Sequence, residues 1–437
     1  MPADSSAARV LATPRVLTLL AIALVSRTVV AVLPITLLVS LAQPYGYGRA
    51  AVINGTMVLV LAVLGPLRGR VLDRVGQRRA LVVMGIAAMT LMSLVAVSVA
   101  ARWPWWSSLL LVIAAALTSP PLNAALRTSW RRVVQGEQQL KLVHSADSVL
   151  EEIGFVLAPL AAGLALVALP PRHAYELCVA VYVLVITAYL IIAKRHGLGE
   201  KPSPATEESA RPPSASRRRQ RWLGPLSEPA MLMIIAPLLV MGCVFGGIGI
   251  LVPAYTQHLS AMSWMGPLLA MISIGGVVGG IVYGTLRWNS DLWSKYRILA
   301  IGFALPACLL FTARPLWLLA LLLVLSGLFV TPVFINAFLL VDHTIDEGMR
   351  HEANIWVGAS TDVANGIIAI VIGALVAKAD FNSALTVLSS CAAVGLAIAL
   401  IWGYLARRGA AHDQPGTPAA TGPAPQPAQS QPSHTTP

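Results

Sequence analysis

Charged residues are scarce in this sequence. Asp, Glu, Lys and Arg make up 11% of its 437 residues, whereas soluble domains carry about a quarter. Hydrophobic residues make up 57%, and the mean hydropathy is +0.73. A chain with so few charges cannot cover itself with a hydrated surface, so lipid must surround much of it. Every backbone amide in lipid needs an internal partner, which leaves only helices or a closed β-barrel as membrane spans.

Segments typical of barrel strands, about ten residues of alternating polarity, are lacking. The apolar runs are about 20 residues long, the length at which a helix crosses roughly 30 Å of hydrocarbon. The first run is too long for the core of a cleavable signal peptide, so we expect it to remain as a span. We predict an all-α membrane protein with twelve transmembrane helices, near residues 16–41, 50–67, 80–101, 106–126, 142–169, 174–193, 229–256, 264–286, 297–313, 315–341, 354–377 and 383–405.

Cysteine is also rare. Cys178, Cys243, Cys308 and Cys391 stand singly inside apolar runs, with no CxxC pair and no metal-ligand spacing. We interpret them as small core residues, and predict no disulfide and no metal site.

Motifs of soluble catalysis are missing too. The chain has no GxxxxGK[ST], which excludes an ATP-driven pump, and no HExxH or GxSxG. An intramembrane enzyme would need paired catalytic groups at one depth, and Asp147, Glu151 and Glu152 are the only candidates. Their spacing fits no such motif, so we expect neither an enzyme nor a cofactor.

The positive charges are unevenly distributed between the two sides of the membrane. With the N-terminus inside, 25 of the 31 Lys and Arg residues fall in inner segments and five in outer loops. This bias predicts that both termini are cytoplasmic in a multi-pass protein of the cytoplasmic membrane. It also accounts for the net charge of +12, so we expect no nucleic-acid partner.

Two polar stretches divide the chain. The segment after the sixth span is rich in Pro, Ser, Glu and Arg, and the C-terminal tail is rich in Pro, Ala, Gln and Thr. Neither can bury enough apolar surface to fold alone. The predicted organisation is a tail (1–14), a six-helix bundle (15–195), a cytoplasmic linker (196–228), a second six-helix bundle (229–405) and a disordered cytoplasmic tail (406–437).

The two halves resemble each other in three short matches at nearly constant offset. Ser119–Ala124 resembles Thr331–Ala337, Ser145-Ala146-Asp147 resembles Ser360-Thr361-Asp362, and the glycine pair 65/69 resembles the pair 280/284. These matches indicate a duplicated six-helix unit. Parallel repeats of this kind are typical of transporters, whose solute site lies between the halves near the membrane midplane.

The loop after the second span reads GRVLDRVGQRR over residues 69–79. It resembles the cytoplasmic signature loop of the major facilitator superfamily, Gly-x-x-x-Asp-Arg-x-Gly-Arg-Arg, with Gln77 replacing a basic residue. The resemblance implies a conformational latch, because a carboxylate at a helix N-terminus is favourable. The alternative is an ordinary positive-inside loop. The latch residues are Gly69, Asp73, Arg74, Gly76 and Arg78.

A second set of motifs is similar to the drug-exporter-like permeases of that superfamily, which are common in actinobacteria. The fourth span ends in PPLNAALRTSW (residues 120–130), the fifth carries EEIGFVLAP (151–159), and Trp356 opens the eleventh. Ala158 replaces the usual glycine, and the fourth span lacks the mid-membrane arginine that is often linked to proton coupling. The resemblance implies a proton-coupled exporter of small drug-like molecules that works by alternating access.

Intramembrane charges are the best candidates for a functional site, because charges in the bilayer are costly and rarely face lipid. Arg27 in the first span and Glu152 in the fifth lie at similar depth, so we predict that they pair. Asp147 is shallower and shares a helix face with Glu151, and we take Asp362 as its counterpart in the eleventh span. Two roles are open for these residues: the pair only holds two helices together, or the acids bind protons or solute.

Five further polar or aromatic residues are candidates for the pocket lining, namely Asn123, Asn336, Asn354, Asn365 and Trp356. The expected partners are a small-molecule solute, protons and membrane lipid, and we expect a monomer. The competing function class is a non-transporting sensor or lipid-handling protein of the same fold.

Overall fold

The computed structural model of the protein describes residues 13–65, 68, 76–134, 136–195, 224–286, 288 and 290–412. Within these residues it contains α-helices, three short 3₁₀ helices (Gly224–Ser227, Met262–Trp264 and Leu309–Thr312) and no strand. The α-helices are α1 (Pro14–Val63), α2 (Gln77–Ala100), α3 (Trp105–Thr118), α4 (Leu122–Val133), α5 (Glu137–Ala168), α6 (Pro171–Arg195), α7 (Pro229–His258), α8 (Met265–Thr285), α9 (Leu292–Cys308), α10 (Leu316–Gly327), α11 (Val330–Thr344), α12 (Glu347–Val376) and α13 (Phe381–His412).

Helix α1 contains two membrane passes. Its 50 residues would extend about 75 Å as one rod, more than twice the hydrocarbon thickness. The backbone leaves the helical region at Gly46, with φ +79°, a value that glycine adopts without steric cost. Just before it, the Tyr45 hydroxyl donates to Trp103 O at 2.8 Å, beyond the end of α2. The chain therefore leaves this end of the bundle after Gly46 and returns to it along α2.

The other spans follow the apolar pattern of the sequence. Ten helical stretches of the described residues are long and apolar enough to cross a membrane, and Trp105–Thr118 is a shorter apolar helix. The predicted fourth span, 106–126, is divided into α3 and α4 at Pro120 and Pro121, because proline supplies no N–H for the helical hydrogen bonds. With α1 counted as two passes, and α3–α4 and α10–α11 each counted as one, the α-helices of the described residues account for the twelve predicted spans.

The outer surface of the helices is apolar. Leu164, Leu184 and Trp317 are 72%, 66% and 68% exposed, and a soluble monomer rarely leaves such large apolar patches open to water. Lipid is the solvent that suits this surface.

The two halves of the bundle, residues 13–195 and 224–412, touch through glycines at one end, which we call the closed end. There the second pass of α1 packs on α12, and a Cβ added at Gly48 would lie 2.8 Å from Ala377 Cβ. Likewise α5 packs on α8, where a Cβ added at Gly163 would lie 2.7 Å from Gly266 Cα. The Tyr47 hydroxyl also donates to Gln257 Oε1 across the halves at 2.6 Å. We call the other end, where α5 and α12 begin, the open end.

Candidate functional site

Arg27 lies near the middle of the first pass of α1 and is only 6% exposed. One guanidinium nitrogen lies 2.8 Å from Asp147 Oδ2 on α5, and the other donates to Asp147 O at 2.5 Å. Asp147 is equally buried, at 1% exposure. Glu151 lies one turn further along α5, with Oε2 at 3.8 Å from Arg27. The predicted Arg27–Glu152 pair is therefore wrong, because Arg27 pairs with Asp147.

Helical geometry explains this choice. Asp147, Glu151 and Gly154 follow one another at spacings of four and three residues, so they share one face of α5. A Cβ added at Gly154 would lie 3.3 Å from Arg27 Cβ, which shows that this face packs closely on α1. Glu152 is rotated by about 100° from Glu151 and points away from Arg27.

Arg127 on α4 completes the charge cluster and was missed as a site residue in the sequence. It donates to Glu151 Oε2 at 2.7 Å, and its Nε lies 3.7 Å from Asp147 Oδ2. Its side chain is 53% exposed, so it closes the cluster on the open side. The motif PPLNAALRTSW contains it, but nothing in the sequence shows that its side chain reaches Asp147 and Glu151. The cluster Arg27, Asp147, Arg127 and Glu151 holds two charges of each sign, so the charges within it are balanced.

Asp362 faces the space between the halves. It lies on the same stripe of α12 as Gly366, Ala369 and Gly373, at spacings of four, seven and eleven residues, and those three residues pack on α1. They are buried, whereas Asp362 and Gly358, one turn before it, are exposed. A Cβ added at Gly358 would meet no atom within 4 Å. The halves therefore separate just below Gly366, and Asp362 lies at the inner limit of the opening.

Glu152 on α5 occupies the position in the first half that matches Asp362 in the second half. It shares a stripe of α5 with Pro159 and Gly163, which contact Gly266 of α8. Between them Phe155 is 52% exposed, so α5 and α8 also separate toward the open end. Glu152 and Asp362 each lie halfway along a helix, of 32 and 30 residues. Neither forms an ion pair or a side-chain hydrogen bond with any residue that the structure describes.

Asp362 is not the structural counterpart of Asp147, as the sequence match had suggested. Asp147 is buried against α1 of its own half, whereas Asp362 is exposed toward the opposite half. Glu152, rather than Asp147, matches Asp362 in depth and in the direction it faces. The sequence match therefore pairs two acids that have the same place in the repeat but different places in the site.

The polar candidates for the pocket lining fall into two groups. Asn123 on α4 and Trp356 on α12 are half-buried, and Asn123 Oδ1 is buried without a hydrogen-bond partner among the residues that the structure describes. Asn336 is 0% exposed and is tied within its own half, since its amide donates to Tyr283 Oη and to Pro332 O, both at 2.8 Å. Asn336 therefore joins helices α8 and α11 and does not reach the opening.

The predicted latch is described only in part, because Gly69, Asp73 and Arg74 lie outside the described residues. Gly76 has φ +92° immediately before α2, and Arg78 is exposed. Gln77, which departs from the signature, donates to Ala125 O at 3.0 Å and to Tyr189 Oη at 2.8 Å. An uncharged amide suits this position, because it ties the start of α2 to α4 and α6 without bringing a charge beside them.

Asp291, outside the membrane-spanning segments, caps α9 by accepting from Ser294 N at 2.9 Å. Hydrogen bonding to Ser294 stabilises the ionised carboxylate and so lowers the pKa of Asp291.

Comparison with solved structures finds the same fold in transporters of different solutes. A bacterial homologue of the iron transporter ferroportin, in an inward-facing state, matches with a TM-score of 0.69 at 14% identity, over 89% of this chain and 98% of that one. The nucleoside transporter NupG matches at 0.67 and 12%, over 89% and 99%. The peptide transporter POT in complex with sulfate matches at 0.64 and 14%, over 90% and 94%. At such low identity these likenesses show the fold alone.

A comparison of the sequence with curated proteins finds no significant match. A sequence model of the Major Facilitator Superfamily does match, over residues 16–367. It confirms the predicted all-α fold of two related six-helix bundles, and with it the expectation of a transporter fold and not an enzyme. This match over most of the chain shows that the protein belongs to the Major Facilitator Superfamily.

Proposed function

We propose that this protein is a proton-coupled secondary transporter that exports small drug-like molecules across the cytoplasmic membrane by alternating access. One observation carries the proposal. Two carboxylates, Glu152 and Asp362, lie halfway along their helices, face the opening between the halves and have no cationic partner in the described structure.

The contacts between the halves support alternating access. The described glycine contacts between them lie in the half of the bundle nearer the closed end. If both termini are cytoplasmic, as the bias of Lys and Arg predicts, the opening faces the cytoplasm. Export then requires a second state in which the glycine contacts separate and the open end closes. Gly65 and Gly76, which flank the signature loop, lie at that end, and Asp73 of the loop would hold it shut.

The charge cluster favours Glu152 and Asp362 over the other acids as proton carriers. Asp147 is already balanced by Arg27, and Glu151 by Arg127. An acidic residue inside a membrane without such a partner is the default candidate for a proton relay. Protonation would remove its charge before the surrounding surface closes, so it would not be buried as an ion.

The walls of the opening suit an amphipathic solute. Phe155 is 52% exposed, Ile355 40% and Val63 62%, and each lies on the open side of the glycine contacts. Apolar side chains with a small number of polar groups are typical of pockets for drug-sized molecules. The preference for export rests on the resemblance to drug-exporter-like permeases.

The test uses proteoliposomes with an acidic interior and an entrapped pH-sensitive dye, with ethidium as the probe. External ethidium should speed the loss of the pH gradient in wild type, and Glu152→Gln and Asp362→Asn should abolish this effect. Glu176→Gln is a matched control, because Glu176 pairs with Arg172 near the closed end of α6 and should retain activity. Equal activity in all three variants would contradict the proton role. A sensor or lipid-handling protein would leave the gradient unchanged with every variant.

A further inference from the structure

Two of the four cysteines come together in the structure although 147 residues separate them in the sequence. Cys243 lies on α7 and Cys391 on α13, and the two side chains face each other across the contact between these helices. All four cysteines are free, and these two are half-buried. The pairing was invisible in the sequence because it depends on how α7 and α13 align.

The packing of α7 on α13 fixes that alignment. A Cβ added at Gly395 would contact Val240, and one added at Gly247 would contact Leu388. The two helices run antiparallel, so Cys243 and Cys391 fall between these two contacts, one turn from each. Each glycine allows the backbones to approach closely, and the thiols are held face to face by contacts on both sides.

We propose that Cys243 and Cys391 form a two-thiolate binding site for a soft divalent metal cation, with Hg²⁺ as the chemical type. Thiolate sulfurs select soft metals. Zinc in structural sites requires four ligands, and no group of three or more His, Cys, Asp or Glu residues lies together in the part of the chain that the structure describes. A cation that is satisfied by two sulfurs fits this pair.

Charge balance decides between soft cations. Binding follows Hg²⁺ + 2 RSH → Hg(SR)₂ + 2 H⁺, in which each thiol releases its proton and the product is neutral. A monovalent cation with two thiolates would leave a net negative charge inside a membrane helix pair, where an uncompensated charge is costly. The divalent complex avoids that cost.

Competition with a monothiol tests the proposal. Purified protein in detergent is loaded with one equivalent of HgCl₂, exposed to increasing 2-mercaptoethanol and desalted, and its mercury content is measured. A preorganised pair acts as a chelate, so wild type should retain mercury to monothiol concentrations about 10²-fold higher than a single thiol does. Cys243→Ser and Cys391→Ser should each lose this advantage. The control Cys178→Ser/Cys308→Ser keeps the pair and should behave as wild type.

A second measurement needs no variant of the pair. Mercury-loaded wild type is treated with a maleimide after monothiol challenge, and the protected cysteines are mapped by mass spectrometry of peptides. Protection of Cys243 and Cys391 together is the expected result. Three results would overturn the proposal. Cys178 or Cys308 could be protected instead, or wild type could retain mercury no better than Cys243→Ser. The protein could also show only two free thiols before loading, because the pair forms a disulfide.

Discussion

The buried Arg27–Asp147 pair provides the sharpest test of the structure. Its side chains are 5% and 2% exposed, and the charged atoms are 2.8 Å apart. Removing one partner of such a pair leaves an uncompensated charge and costs roughly 3–5 kcal/mol. Asp147→Asn should fall near the lower limit, because Glu151 lies 3.8 Å from Arg27 and offers partial compensation. Arg27→Met leaves Asp147 with Arg127, which is half exposed and 3.7 Å away.

The double variant separates an ion pair from two unrelated losses. Arg27→Met/Asp147→Asn removes both charges, so it should be more stable than either single variant, within about 1–2 kcal/mol of wild type. The measurement is unfolding in mixed detergent micelles with increasing SDS, followed by tryptophan fluorescence. Glu152→Gln is the matched control, since it removes a charge one residue from Glu151 that forms no ion pair with any described residue, and its stability should stay near wild type.

Two results would refute this reasoning. Additive losses in the double variant would show that Arg27 and Asp147 do not interact. A loss in Glu152→Gln as large as in Asp147→Asn would restore the pairing expected from the sequence.

Other perturbations address the latch, the contact between the halves and the tail. Asp73→Asn should lower ethidium transport while ethidium binding in detergent persists, because the proposed latch pairs this carboxylate with a helix N-terminus and not with solute; parallel loss of both would argue against a latch. Gly266→Val should weaken the closed end, because a Cβ there would lie 2.8 Å from Pro159 O. A cysteine introduced at Ala377, which faces Gly48 across the same end, should then react faster with a membrane-impermeant maleimide, and an unchanged rate would count against the contact. Deleting residues 413–437, beyond the end of α13, should leave expression and transport near wild type, and loss of folded protein would show that the tail docks.

Much of the fold was predictable because it depends on local pattern. Apolar runs of the length that lipid requires give the spans, and Pro120–Pro121 marks the break in the fourth. The loop predicted between the first two spans contains Gly46, where the backbone leaves the helical region, but the apolar pattern alone does not show at which residue the chain turns. The sequence identified Arg27, Asp147 and Glu151 as site candidates. It gave Arg27 the wrong partner and did not identify Arg127. Depth along a helix can be counted from sequence, whereas the direction a residue faces depends on which neighbour packs there.

The direction in which a residue faces also changes how the internal repeat relates to function. Short matches between the halves aligned Asp147 with Asp362, and a pair of equivalent acids would suggest equivalent roles. In the structure one acid neutralises a buried arginine and the other faces the opening, while Glu152 takes the position that mirrors Asp362. Because α5 and α12 each face both their own half and the other one, a shift of a few residues moves a carboxylate between a structural role and a place in the proposed pathway. Equivalent helices of the two halves can therefore supply equivalent acids from positions that the sequence repeat does not align.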